Sequence, residues 1–479
     1  MNYRMILYIL RNSLFAEAVL MLLPAAVAVI YGENPAPFLI TIGILLGAAA
    51  LLNLLRPRTK VIYAREGFIS VALSWIMLSA FGALPFIFSG AIPNFIDAIF
   101  ETVSGFTTTG ATILKDIEVV ERGVLFWRSF THWIGGMGVL VFIMAVIPLA
   151  EGRSMHIMRA EVPGPSVGKL VPRARNTAKI LYGIYILLTV AEIIFLVAGG
   201  MPLFDSLVHA FGTAGTGGLS IKNASIAAYD SVYIHMVIAV FMLLFGINFN
   251  LYYLLILGRL KTILRNEEVR WYIGIVAVSV LLITANIIKI YGNVGEAFEK
   301  AFFQVSSIIT TTGYTTADFN LWPELSKLVL VMLMVVGACA GSTGGGIKVA
   351  RLIILVKTTG REIKRLMHPH SVSAVKLDGK AVDDFTCHGT CAFFILYMLI
   401  TAASMLLISV DGQSFDTTTT AVIACIGNIG PGLESVGPIG NFSMFSDFSK
   451  IILSFDMLLG RLEIFPIIML FRPAMWKRS

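Results

Sequence analysis

Threonine and glycine crowd into the one kind of segment in this 479-residue chain whose residue types and spacing could do chemistry. TTTGAT stands at residues 107–112 and TTTGYT at 310–315, while the shorter relatives GTGG and NIGP stand at 215–218 and 428–431. All four are uncharged, and each follows an apolar stretch. Main-chain carbonyls that all point inward can replace the water shell of a dehydrated cation. Glycine permits the φ angles this needs, and threonine hydroxyls are able to add a further oxygen ring. The chemistry expected is coordination of a monovalent cation. Its lining would be Thr108, Thr109 and Gly110; Gly215, Thr216 and Gly217; Thr311, Thr312 and Gly313; and Asn428, Ile429 and Gly430.

What must position these segments is a set of helices in a bilayer. Hydrophobic residues make up 57% of the chain and charged residues only 14%, too few to cover a soluble surface. Apolar runs long enough to cross a hydrocarbon core of about 20 residues recur throughout. After an N-terminal hairpin (residues 1–60, without the features of a cleaved signal), one pattern occurs in 61–160, 161–265, 266–370 and 371–479. A long apolar helix leads to a short segment opening near an acidic residue, then the Thr/Gly turn, then a second apolar helix. From acidic residue to glycine the short segments run only about 12–14 residues, too few to cross and therefore re-entrant. Each is expected to be a half-length helix with an acidic cap, its negative end directed at the turn. Backbone outside a helix survives at that depth only when buried in protein or lining water. The fold expected is an all-α polytopic membrane protein, a two-helix hairpin plus four helix–loop–helix repeats around a central pore.

The formal charge of +7 is topological and does not point to nucleic acid. Basic residues gather in the linkers between repeats, at Arg56, Arg58, Lys60 and Arg65, from Arg153 to Lys179, from Arg259 to Arg270, and from Lys348 to Lys380. Asp97, Asp116, Glu118, Glu121, Asp205, Asp230, Asp318 and Asp411 occupy the opposite loops. The positive-inside rule puts the linkers in the cytoplasm. Cys387 and Cys391 lie one helical turn apart, but no second Cys/His pair at zinc spacing joins them. No Ser/His/Asp set or carboxylate pair recurs in register, so an enzyme is not expected.

These residues resemble the Trk/Ktr/HKT superfamily of potassium transporters, in its bacterial TrkH/TrkG branch. GALPFIFSGAIPNFIDAIFETVSGFTTTGAT (82–112), RSFTHWIGGMGVLVF (128–142), SSIITTTGYTTADF (306–319), GSTGGGIKVAR (341–351) and LGRLEIFP (459–466) carry the likeness, which spans essentially the whole chain. The resemblance implies M1–P–M2 repeats with K+ as permeant ion, a homodimer with one pore per protomer, and a place in the bacterial cytoplasmic membrane. It also implies a cytosolic TrkA-type RCK ring that binds NAD, ATP or ADP. Channel-like uptake through a selectivity filter is the leading expectation. A K+ symporter coupled to H+ or Na+ is the alternative, although symporters of that kind favour inverted repeats with an ionisable midplane site.

GSTGGGIK is not a phosphate-binding loop. Ile347 separates Gly346 from Lys348, Val349 follows where Ser or Thr is needed, and apolar residues rather than a strand precede it. No nucleotide is expected on this chain. Counted from Leu325, Gly341 lies about 16 residues in, or roughly 24 Å at 1.5 Å per residue. Counted from Asp447, Arg461 lies about 14 residues in, or roughly 21 Å. Gly341, Ser342, Thr343, Gly344, Gly345 and Gly346 cannot sustain a helix there and should form an intramembrane loop, loosening matched at 135–138 and 246–248. The resemblance gives that loop the role of gate. An arginine at that depth is expensive unless it faces water or a carboxylate, which makes Arg461 an electrostatic barrier and Asp456 or Glu463 its expected partner.

Overall fold

The computed structural model describes residues 2–54, 64–138, 174–369 and 373–476. Most of it is helix, and the one sheet among the described residues is the two-stranded hairpin Lys376–Leu377 with Lys380–Ala381. Among the described residues, six helices are long and apolar enough to cross a membrane: Tyr3–Ile30, Ala36–Asn53, Glu66–Phe88, Lys179–Ala198, Glu267–Tyr291 and Asp384–Asp411. The first two lie where the hairpin is expected, and each of the other four stands ahead of one of the Thr/Gly turns. This is an all-α, multi-pass membrane protein. The boundaries drawn at 60/61, 160/161 and 370/371, the basic residues at 56–60, 153–173 and 477–478, and the second helix of the first unit beyond residue 138 lie outside the described residues.

Four short helices follow the four long ones: Phe95–Phe106, Leu203–Gly215, Val294–Ile309 and Phe415–Gly427. At 12, 13, 16 and 13 residues they span about 18–24 Å, short of a hydrocarbon core of about 30 Å. Their caps correct the sequence expectation. Asn94, Asn293 and Ser414 accept from the first-turn amides, and Pro202 starts the second helix. The acids Asp97, Asp205, Glu296 and Asp416 sit one turn inside, where their charge still opposes the helix dipole. A neutral side chain makes the cap hydrogen bond and leaves the acids free for other partners.

The helices after the turns are also short: Arg122–Gly136, Val232–Phe245, Glu324–Val336 and Asp447–Arg461. Each stops after 13–15 residues, roughly 20–23 Å along its axis. Where the sequence leads one to expect loosening, the helix breaks outright. Between Val232–Phe245 and Phe249–Ile256 the chain turns through 93°. In the third unit the break runs over 337–348, beginning four residues before the expected loop, because Gly337 takes a φ of 73°.

The units interlock around a circle. The helix Arg122–Gly136 packs on the short helix of the second unit, Val232–Phe245 on that of the third, Glu324–Val336 on that of the fourth, and Asp447–Arg461 on that of the first. Three of these seams carry a buried polar tie. Arg128 donates to the Ser220 carbonyl at 2.8 Å, His235 meets Glu299 at 2.6 Å, and Lys450 meets Asp97 at 2.6 Å. Replacing the cap, Asn94→Ala, is expected to cost about 1 kcal/mol. The apparent melting temperature of the purified protein in detergent should fall accordingly, and Ser414→Ala should behave alike.

Candidate cation-binding site

The four short helices end in one and the same backbone motif. Thr108, Thr216, Thr311 and Asn428 take left-handed angles, with φ of 55, 58, 59 and 55°. Each donates its N–H three residues back, and the next residue (Thr109, Gly217, Thr312, Ile429) donates five residues back. These are the paired bonds of a Schellman ending, a position usually given to glycine. A threonine there is strained by about 1–3 kcal/mol. Asparagine tolerates the angle more readily, so NIGP is the least strained version of the motif rather than a departure from it. Beyond the ending, the carbonyls of Thr109, Gly217, Thr312 and Ile429 accept no hydrogen bond among the described residues.

Those four carbonyls form one layer, closed by contact from loop to loop. A β-carbon on Gly110 would strike the Gly217 oxygen, one on Gly218 the Thr312 oxygen, and one on Gly313 the Ile429 oxygen. One on Gly430 would lie 2.8 Å from the Thr109 oxygen. The order 1 on 2, 2 on 3, 3 on 4 and 4 on 1 is a ring. Gly110, Gly218, Gly313 and Gly430 have φ of 83, 68, 88 and 95° and line a single cavity of about 320 Å³.

This geometry corrects the register in the second loop. The partner of Gly110, Gly313 and Gly430 is Gly218, so the triplet equivalent to Thr108, Thr109 and Gly110 is Thr216, Gly217 and Gly218. Gly215 corresponds instead to Thr107. Spacing alone misses this because Thr-Thr has become glycine on both sides of Thr216. The cause is His132: its backbone occupies the space beside Gly215 and its ring the space beside Gly217.

Hydroxyls do not form the expected further ring. Thr107 and Thr310 donate to the Val103 and Ser306 carbonyls at 2.6 Å and pair with Thr109 and Thr312 at 2.8 Å. Thr311 accepts from the Gly345 amide at 2.6 Å, and Asn428 donates to Thr109 Oγ1 and to the Met457 carbonyl. These side chains brace the loops.

Behind the ring sits a pair of residues that spacing did not single out as part of the site. Glu101 and Arg128 are both 1% exposed and meet at 2.6 Å. Glu101 also accepts from Thr112 Oγ1 and the Ile113 amide at 2.9 Å each. One seven-residue step before the left-handed residue therefore carries a carboxylate in the first loop. In the second loop the same step carries His209, whose Nε2 lies 2.9 Å from Ser220 Oγ. Ser220 is held by both, through its carbonyl from Arg128 and through its hydroxyl from His209.

The loop 341–346 lies against the inner ends of the third and fourth turns. A β-carbon on Gly344 would be 2.9 Å from the Thr310 oxygen, and one on Gly345 would strike the Gly427 oxygen. Arg461, 7% exposed, donates to the Thr343 carbonyl at 2.7 Å, to the Gly136 carbonyl at 3.0 Å and to that of Gly135. Loop and arginine thus meet, as their depths imply. The expected carboxylates are engaged otherwise: Glu463 pairs with Arg351, and Asp456 accepts from Ser404 at 2.8 Å. Lys348, buried at the end of the loop, donates from Nζ to the Gly344 carbonyl, a tie the sequence did not foretell.

A family model described as TrkH, cation transport protein, matches residues 37–478. The Trk system potassium uptake protein TrkH of Salmonella typhimurium is 39% identical over 485 residues, covering 100% of both chains. TrkG of the same system in Escherichia coli is 37% identical over 418 residues, 86% of each chain. Among solved structures, the potassium transporter TrkH from Vibrio parahaemolyticus matches with a TM-score of 0.90 and 35% identity over 100% of both chains.

Breaking the buried pair should expose its cost. Arg128→Ala strands the Glu101 carboxylate and is expected to destabilise the protein by about 3–5 kcal/mol, whereas the double exchange Glu101→Gln, Arg128→Met recovers most of it. Thermal unfolding in detergent measures both.

Proposed function

The chain belongs to the TrkH family of cation transport proteins, and from that premise we propose that it takes up K+ through a selectivity filter in the cytoplasmic membrane. The observation that carries this reading is the closed ring of contacts, Gly110 on Gly217, Gly218 on Thr312, Gly313 on Ile429 and Gly430 on Thr109. The carbonyls of Thr109, Gly217, Thr312 and Ile429 would form one coordinating layer. Those of Thr108, Thr216, Thr311 and Asn428 would form the next. Carbonyl oxygens without donors give back what a K+ ion loses on shedding water. The negative ends of the short helices favour a cation and oppose an anion. The cavity outside the ring is the entrance, and the membrane potential, at about 2.3 kcal/mol per charge per 100 mV, is the drive.

Below the filter, Gly341, Ser342, Thr343, Gly344, Gly345 and Gly346 serve as gate, with Arg461 as a fixed positive charge that a cation must pass. The loop blocks sterically against the Thr310 and Gly427 carbonyls, and Arg461 holds it through Thr343. A homodimer, and a cytosolic TrkA-type ring binding NAD, ATP or ADP, complete the assembly we propose. Its contact face would be the basic side, where the helix Val349–Met367 carries Lys357, Arg361, Lys364 and Arg365.

Ion-resolved flux in liposomes tests the filter. Gly218→Ala is expected to reduce K+ flux at least about tenfold, since a β-carbon there meets a carbonyl oxygen at a strained φ. Gly183→Ala, with open space around it, should transport like the parent. Native flux in Gly218→Ala would overturn the reading. For the gate, Arg461→Ala and a deletion within 341–346 should each raise flux in the absence of a regulator; unchanged flux in both would discard it.

A further inference from the structure

Glu268 lies in the first turn of the helix Glu267–Tyr291, well away in sequence from the glycine loop, yet it is 6% exposed and committed to that loop. One of its oxygens, Oε1, accepts from the Ala340 amide at 2.6 Å and from the Ala350 amide at 3.2 Å. Ala340 immediately precedes Gly341, and Ala350 stands just beyond Lys348, so a single oxygen holds both ends of the gate together. We propose that Glu268 is the latch of the 341–346 loop, a positioning residue whose carboxylate keeps the loop closed under the filter. This rests on reading the loop as a gate.

Two physical arguments single out this carboxylate. The first concerns the helix Val349–Met367. Its N-cap position is Lys348, which makes no side-chain cap bond and turns its ammonium to Gly344. A cation at a helix N-terminus has the wrong sign for the dipole, and the first amides of a helix have no partner within it. Glu268 supplies from another helix both the missing acceptor and the favourable charge. The second concerns entropy. Glycine gains more conformational freedom than any other residue when released, so a loop with four glycines gains most from the loss of a tie between its flanks. Other restraints on the loop come from separate elements: Phe249 on Gly341, Arg461 and Phe245 on Thr343, and Thr311 on Gly345. Three main-chain bonds also close the break, from Ile347 to Val335, from Lys348 to Val336 and from Val349 to Ala338, and Glu268 is the side chain, among the hydrogen bonds of the described residues, that joins its two flanks.

Cys339, buried at the start of the same break, is a native reporter of loop position. In the full chain, with Cys387, Cys391 and Cys425 exchanged for serine, the rate at which a thiol reagent labels Cys339 is measured in proteoliposomes together with regulator-free K+ flux. Glu268→Ala is expected to raise both about tenfold or more, the worth of two charge-assisted hydrogen bonds. Glu268→Gln, which still offers an oxygen but no charge, should fall between Ala and the parent, an order that a purely structural role does not produce. Should Glu268→Ala fail to reach the membrane, the Gln variant decides by the same two readings. Parental labelling and flux in these variants, beside a loop deletion that does raise flux, overturns the latch and leaves the gate standing. Faster Cys339 labelling with no change of flux in any variant, the deletion included, overturns gate and latch together.

Discussion

No β-carbon fits where one turn meets the carbonyl oxygen of the next, and the arrangement of the whole molecule depends on that closeness. Four glycines at positive φ let four turns touch in a circle, each placing its own oxygens by leaning on its neighbour. The short helices deliver those turns to the ring. The second helices break after about 13–15 residues because the space below the ring belongs to a loop and an arginine. Irregular backbone at this depth is tolerated because protein surrounds it.

Around a nearly fourfold ring the supporting chemistry is unequal. Glu101 and Arg128 brace the first and second turns, His235 and Glu299 join the second unit to the third, and Lys450 and Asp97 close the circle from the fourth to the first. The third unit meets the fourth through Arg351 and Glu463, through the Thr343 carbonyl that accepts from Arg461, and through Asn320 and Glu434 nearer the surface. That is also where the glycine loop enters, lying on the Thr310 and Gly427 carbonyls. Strain stored in three left-handed threonines is held in place by this same bracing.

Much of this was legible before any coordinates. Composition and the spacing of apolar runs were enough for a polytopic helical fold, since a bilayer permits few alternatives. The uncharged Thr/Gly turns announced themselves by repetition, and six small residues in mid-membrane announced a break. What stayed hidden depends on contacts between distant segments. The one-residue register error at Gly217 arose because His132, some eighty residues earlier, took the room that threonines use in the other turns. Nothing local reveals that Glu101 faces Arg128. Arg461 was expected beside a carboxylate; three carbonyls receive it instead, from helix ends and a loop whose approach no local pattern records. Glu268 was invisible for the same reason, since its two amide donors stand over seventy residues away.

The central claim is that oxygens from four turns of one chain coordinate a dehydrated cation together. Crystals grown in K+ and exchanged into Rb+ or Tl+ would test it directly through anomalous scattering. The account predicts ion density enclosed by the carbonyls of Thr109, Gly217, Thr312 and Ile429, with adjoining density at the layer of Thr108, Thr216, Thr311 and Asn428. Ions bound elsewhere in the membrane-spanning part, with that enclosure empty in a protein that still transports, would contradict it.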